Sequence, residues 1–177
     1  MQGKDGLSAV AYPSGIAGFP AEVIEASSPV VMHKRELRRD SGGAGQWRGG
    51  LSQVMEYTVR TGRPFYLQSF YERTKYPAPG LMGGKPGAVG RLAADRGRQP
   101  IPKITSLVEA GAVVSIELPG GGGFGKPMER EPTAVLADVR NGYVSREAAE
   151  REYGVVIDMA SWVVDEEATN ARRRAMA

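Results

Sequence analysis

The chain has 177 residues, 41% of them hydrophobic, with a formal charge of +3 and no cysteine. That length suits one domain or one domain with an appendage; the missing cysteines exclude disulfides and thiolate metal sites and fit a reducing cytoplasm. No apolar run approaches the 18 or more residues of a membrane span, and the N-terminus lacks the charged start and apolar core of a signal peptide.

Residues 1–20 carry scattered glycines and prolines and read as a loop or extended arm. Ala21–Ala26 (AEVIEA) and Pro29–Leu37 (PVVMHKREL) are predicted as short strands. A glycine knot follows, DSGGAGQWRGG at 40–50. Leu51–Arg60 and Pro64–Tyr71 alternate apolar and polar residues, which predicts two strands with a hairpin turn at Thr61-Gly62-Arg63. A second knot, GLMGGKPGAVG, occupies 80–90. Residues 91–102 are polar and loop-like, and Ile104–Val108 and Val113–Leu118 are predicted strands flanking a turn at 109–111. The second of these strands runs into the third knot, PGGGGFGKP at 119–127.

Each knot holds five glycines, so fifteen of the chain's 24 lie in three short windows. A glycine costs about 0.5–1 kcal/mol against alanine where regular structure would do. Such density predicts backbone in a conformation, or at an approach distance, that no other residue allows.

Beyond the third knot the pattern turns helical. Pro132–Val139 is a helix opened by proline and stopped at Asn141-Gly142. Ser145 is the predicted N-cap of a helix over 146–153, with Gly154 as its stop. Asp165–Met176 is a terminal helix, acidic at its start and arginine-rich at its end, in keeping with the helix dipole. The fold class expected is therefore α+β. A β-rich body over 1–127, sandwich- or barrel-like with mixed or antiparallel sheets and an N-terminal arm, carries a small helical tail over 128–177.

Gly120 to Lys126 satisfies the spacing of a phosphate-binding P-loop, but the next residue there must be a Ser or Thr whose hydroxyl binds Mg²⁺. Here it is Pro127, without hydroxyl or N–H, so a strand-end turn is the better reading. The predicted helix pair over 132–153 has the outline of a helix-turn-helix, yet its second helix carries Glu147, Glu150 and Glu152 against Arg146 and Arg151. That charge repels phosphate, and no nucleic-acid or membrane partner is expected. His33, the single histidine, cannot build a transition-metal site without cysteine or further histidine. Asp40, Ser41 and Arg48 are the candidate functional side chains. Asp40 and Ser41 suit turn hydrogen bonds, whereas Arg48 with the knot's N–H groups could also hold a carboxylate or phosphate. Both readings stay open on the sequence. Residues 1–100 hold 14 Lys/Arg against 8 Asp/Glu and residues 101–177 hold 9 against 12, so the first part could steer an anionic ligand or partner.

Taken together, the blocks AEVIEASSP, ELRRDSGGAGQWRGG, PGLMGGKPGAVGR, ELPGGGGFGKP and DVRNGYVSREAAEREYGVVID resemble the C-terminal part of the hydantoinase B/oxoprolinase family, in the family's order across nearly all of 21–158. The resemblance implies a cytoplasmic, ATP-dependent enzyme that opens a cyclic amide such as 5-oxoproline or a hydantoin; ketone carboxylases are relatives. It implies two partners, the N-terminal part of the B-type subunit and an A-type ATP-binding subunit. It also implies ATP and a divalent metal for the full complex, none of them bound by this chain. In the family the A-type partner phosphorylates the amide oxygen, which makes a poor electrophile open to water. The loops expected to face substrate or partner comprise Gly42, Gly43, Gly45, Gly49 and Gly50; Gly83, Gly84, Lys85 and Gly87; and Gly120, Gly121, Gly122, Gly123 and Gly125. Two departures stand out. The family's N-terminal region, where relatives place metal and catalytic ligands, is not represented, so this chain alone is expected to be inactive. Lys126 also stands where members usually carry Asp.

Overall fold

The computed structural model describes residues 3–10, 18–94 and 105–176. An open four-stranded antiparallel sheet of order β1-β2-β6-β4 is built from Val30–Leu37 (β1), Gln53–Val59 (β2), Val114–Glu117 (β6) and Arg91–Ala94 (β4). Val30 pairs with Val59 and Leu37 with Gln53; β6 lies between β2 and β4, with Glu117 opposite both Val54 and Arg91. The register of β1 shifts between Met32 and Lys34, at His33, whose exposed ring hydrogen-bonds the Thr58 hydroxyl (2.9 Å). Phe65–Gln68 (β3) and Thr105–Val108 (β5) form a separate two-stranded antiparallel sheet. The two sheets share a core of Leu92, Ala94, Val108, Ala112 and Val114, with Phe65, Leu67, Tyr57, Tyr71 and Ile116 packed against it. The tyrosine hydroxyl of Tyr71 donates to the Glu117 carbonyl, and burial pushes that phenol up to about 12.

Three local expectations need correction. Ala21–Ser27 is a helix (α1), not a strand. A short apolar run does not distinguish the two by pattern, and this one has Glu22 in its first turn while Ser27 and Ser28 hydroxyls donate to the Val23 and Ile24 carbonyls (2.7 Å each). Glu25 then accepts the Met32 N–H at 2.9 Å, tying the helix to β1. Residues 61–63 turn, with Gly62 at φ +65°, but join no hairpin. Both edges of β2 are occupied by β1 and β6, so β3 passes to the other sheet. The polar stretch after the second knot begins with β4; the remainder of that predicted loop, 95–102, lies outside the described residues, as does Ile104.

The C-terminal part holds Pro132–Arg140 (α2), Arg146–Tyr153 (α3) and Glu166–Met176 (α4), with proline at the first position of α2 as expected. Ser145 Oγ accepts the Ala148 N–H at 3.1 Å, and Gly154 adopts φ +63°, a left-handed C-cap that side-chain-bearing residues avoid. Asp165 caps α4 through the Ala168 N–H at 2.9 Å. A two-residue hairpin, Ile157–Asp158 (β7) with Val163–Val164 (β8), sits between α3 and α4; its strands are too short for periodicity to mark. Val135, Val144, Ala148, Ala149, Tyr153, Val155 and Ile157 form a second core that also includes Ala44 of the first knot.

Candidate functional site

The three knots meet. Gly43 N–H donates to the Gly121 carbonyl (2.8 Å), Lys85 N–H to Ala44 (2.7 Å), Gly123 N–H to Lys85 (2.9 Å) and Gly120 N–H to Ala88 (3.0 Å). Trp47 and Phe124 exchange both backbone bonds, at 2.9 and 3.0 Å. The arm joins from outside: Gly6 N–H donates to the Arg48 carbonyl and Ala9 N–H to Leu51. The result is a laterally bonded seam of extended segments.

The seam accounts for the glycines. A Cβ on Gly120 would stand 1.7 Å from the Ser41 carbonyl oxygen, on Gly49 2.1 Å from that of Gly121, and on Gly43 2.2 Å from that of Lys85. Gly84 and Gly123 meet the carbonyls of Gly123 and Ala44 at 2.2 Å, Gly42 meets Gly49 at 2.2 Å, and Gly87 meets Gly120 at 2.4 Å. Gly45, Gly50 and Gly122 are crowded by backbone in the same way, and Gly121 is the least confined. Only Gly83 (φ +91°) and Gly125 (φ +73°) among the knots' fifteen glycines adopt positive φ. Close approach of backbones, rather than left-handed conformation, is what the glycines provide.

This bonding also answers the phosphate question. A P-loop offers its amide N–H groups to phosphate oxygens. Here the N–H groups of Gly120, Gly121, Gly123, Phe124 and Gly125 all donate to protein carbonyls, and Pro127 opens a 3-10 turn over 127–129. The first knot is equally committed: Gly43, Gln46, Trp47 and Gly49 donate to backbone oxygens and Arg48 N–H to Asp5 Oδ1 (2.7 Å).

Asp40 is exposed, sits at φ +57°, and accepts the Ser145 N–H (2.7 Å), fixing the entry to α3. Ser41 is fully buried; its hydroxyl donates to the Arg38 carbonyl (2.6 Å) and accepts the Ser52 N–H (2.9 Å). Arg48 is buried beneath the seam, donating from Nε to Asp138 Oδ2 (3.3 Å) and from Nη1 to the Gly49 carbonyl (2.8 Å), with its guanidinium 5.3 Å from the Tyr143 ring centroid. Asp40 and Ser41 hold the first knot at its start, and Arg48 holds it near its end.

Arg48 belongs to a four-residue ion network. Arg130 forks onto Asp5, with Nη1 and Nη2 each 2.7 Å from a carboxylate oxygen, and Nη2 also reaches Asp138 Oδ2 at 2.8 Å. Two arginines and two aspartates balance, which is the condition for burying charge at all. Burial pushes the Asp5 carboxyl up, but the hydrogen bonds and charge of Arg130, with the Arg48 N–H, outweigh it and hold the group below its ordinary value. Burial likewise pulls the Arg130 guanidinium down, and Asp5 and Asp138 more than restore it. Tyr153, in the same core, has its phenol raised by burial. Sequence reasoning missed Asp5, Arg130 and Asp138: Asp5 and Arg130 lie 125 positions apart, and no local spacing marks such a pair.

Open clefts flank the seam. One of about 300 Å³ is bordered by Asp40, Lys85, Val144, Arg151 and Tyr153. A second, about 470 Å³, is bordered by Lys4, Trp47, Arg48, Gly122 and Phe124. A third, about 490 Å³, is bordered by Leu7, Arg35, Gly50, Pro119 and Gly121. Among the described residues no group of three or more His, Asp or Glu could hold a metal ion. No helix in the described residues is long and apolar enough to cross a membrane.

Comparison with known proteins places this architecture. The caprolactamase subunit beta of Pseudomonas jessenii is 40% identical to the chain over 87% of its length. The crystal structure of the ATP-dependent caprolactamase from Pseudomonas jessenii superposes with a TM-score of 0.84 at 34% identity, covering 98% of this chain and 32% of that one. The nucleotide-free structure of an acetone carboxylase gives 0.83 at 27% identity, covering 98% and 28%. The chain spans about 30% of the length of some of the curated relatives it matches, the caprolactamase subunit among them, and 8–11% of the length of others. The Hydantoinase B/oxoprolinase family model matches residues 1–127, and with that match the chain belongs to the hydantoinase B/oxoprolinase family.

Proposed function

We propose that the chain is the C-terminal portion of a B-type subunit in an ATP-dependent enzyme that opens a cyclic amide of the 5-oxoproline or hydantoin type, working with the rest of that subunit and an A-type ATP-binding partner in the cytoplasm. The kinship to caprolactamase subunit beta along most of the chain carries this reading. ATP and a divalent metal belong to other parts of that complex. This chain's contribution is positioning. Asp40, Ser41 and Arg48 hold the glycine seam, and the seam forms a stiff wall whose backbone is already hydrogen-bonded, so it costs no reorganisation as a substrate is held.

A second reading, a non-catalytic assembly module of such a complex or of a ketone carboxylase, is favoured by one observation: the Ser41 hydroxyl and the Arg48 guanidinium spend their bonds inside the fold. Arg48→Ala in the reconstituted complex separates the readings. Turnover lost with assembly intact supports the site wall; assembly lost supports the module. ATP-dependent ring opening by the purified 177-residue chain alone would refute the need for partners.

A further inference from the structure

Each glycine knot carries few large apolar residues, and the seam sets them side by side. The first knot contributes Trp47, the second Leu81 and Met82, the third Phe124. Trp47 and Phe124 form an antiparallel bridge, and Leu81 and Phe124 a parallel one. Bridged residues project to the same face, so Trp47, Phe124 and Leu81 make one row across three segments. They are not buried: Phe124 is 43% exposed, Leu81 63% and Met82 76%. A lysine stands at each end of the row. Lys4 borders the cleft beside Trp47 and Phe124, and the Lys126 side chain lies 3.0 Å from where a Cβ of Gly83 would be, against the Leu81–Met82 turn. Neither lysine forms an ion pair among the described residues.

We infer that this row is a docking face for a protein surface apolar at its centre and acidic at its rim, and that the occupant is the remaining region of the B-type subunit. The inference rests on the functional reading above for the identity of the occupant. Three observations support it. A contiguous apolar row with cationic ends is the pattern of an interface core with a charged rim. Its backbone is a bonded seam rather than a free loop, so the side chains are held in place before a partner arrives, which lowers the ordering cost of association. Curated relatives such as caprolactamase subunit beta are about three times as long as this chain or longer, so most of their sequence lies outside it and is available to cover such a face. A second copy is a poorer occupant, because stacking the row on itself in parallel would oppose lysine to lysine.

The test co-expresses the full 177-residue chain with the B-type region that completes it and the A-type partner, then isolates the complex through a tag on this chain. Phe124→Asp and Leu81→Asp, each exposed and thus compatible with folding as checked by an unchanged melting temperature, are expected to weaken association about tenfold or more apiece. Tyr66→Asp serves as a control. Tyr66 is 75% exposed opposite Leu107 on the two-stranded β3–β5 sheet, not on any of the three knots, and its change should leave association intact. Lys4→Glu with Lys126→Glu should slow association and reverse its salt dependence. Wild-type association that survives both seam variants overturns the docking face while the functional reading stands. A wild-type chain that fails to associate at all overturns both. Self-association of the chain that the seam variants abolish, with capture of the B-type region unchanged, assigns the face to a second copy and overturns the inference.

Discussion

Replacing Gly120 by alanine tests the seam most directly. A Cβ there would sit 1.7 Å from the Ser41 carbonyl oxygen and 2.5 Å from its carbon, both backbone atoms held from either side. Reaching even 3.0 Å requires the third knot to retreat by at least 1.3 Å (3.0 − 1.7) from the first. The same retreat stretches two bonds that join the third knot to the first, Gly43 N–H to Gly121 (2.8 Å) and Gly121 N–H to Gly50 (3.0 Å). Overpacking costs about 1–3 kcal/mol and each lost bond about 1 kcal/mol, so the expected destabilisation is about 3–5 kcal/mol. At about 2–4 °C per kcal/mol for a domain of this size, melting should fall by roughly 6–20 °C. Gly62→Ala is the reference. Gly62 has φ +65° but nothing within 4 Å of a Cβ, so it bears only the left-handed penalty of about 1–2 kcal/mol. Scanning calorimetry of both variants decides the matter: a Gly120→Ala protein that melts at or above the Gly62→Ala protein would show that the knots are not closely packed.

Three further outcomes follow from the network and the cap. Asp138→Ala leaves Arg48 and Arg130 buried without their shared carboxylate and should cost about 3–5 kcal/mol, read as a lowered urea midpoint; a loss below about 1 kcal/mol would mean that solvent reaches the pair. The Asp5 carboxyl is held below its ordinary value, so its contribution is fully present above about pH 4 and is lost as pH falls through the depressed value. Acid titration of melting temperature should therefore steepen below about pH 4 in the wild type and flatten there in Asp5→Asn; identical profiles would detach the arm from Arg130. Ser145→Ala removes the acceptor of the Ala148 N–H and should cost about 1 kcal/mol, with no change expected in the β-sheet signal by circular dichroism.

The long alternating runs, the proline at the start of α2, the Ser145 cap and the Gly154 stop were legible because each is a local rule: a period, a missing N–H, a left-handed φ. AEVIEA misled because six residues satisfy strand and helix patterns alike, and hydroxyls just beyond them settled the outcome. Thr61-Gly62-Arg63 misled because a turn reports that the chain bends, not which strand edge is vacant.

The sequence by itself determined that three glycine knots exist, which family they resemble, and that Asp40, Ser41 and Arg48 lie in one of them. Tertiary structure alone decided that the knots lie against one another, that Arg48 answers Asp138 and Arg130 answers Asp5, and that Trp47, Leu81 and Phe124 share a face. The reason is range. Dihedral preference and capping act within a few residues, whereas a backbone contact near 2 Å from a missing side chain, or a buried charge pair 125 positions apart, is fixed only once distant segments have packed.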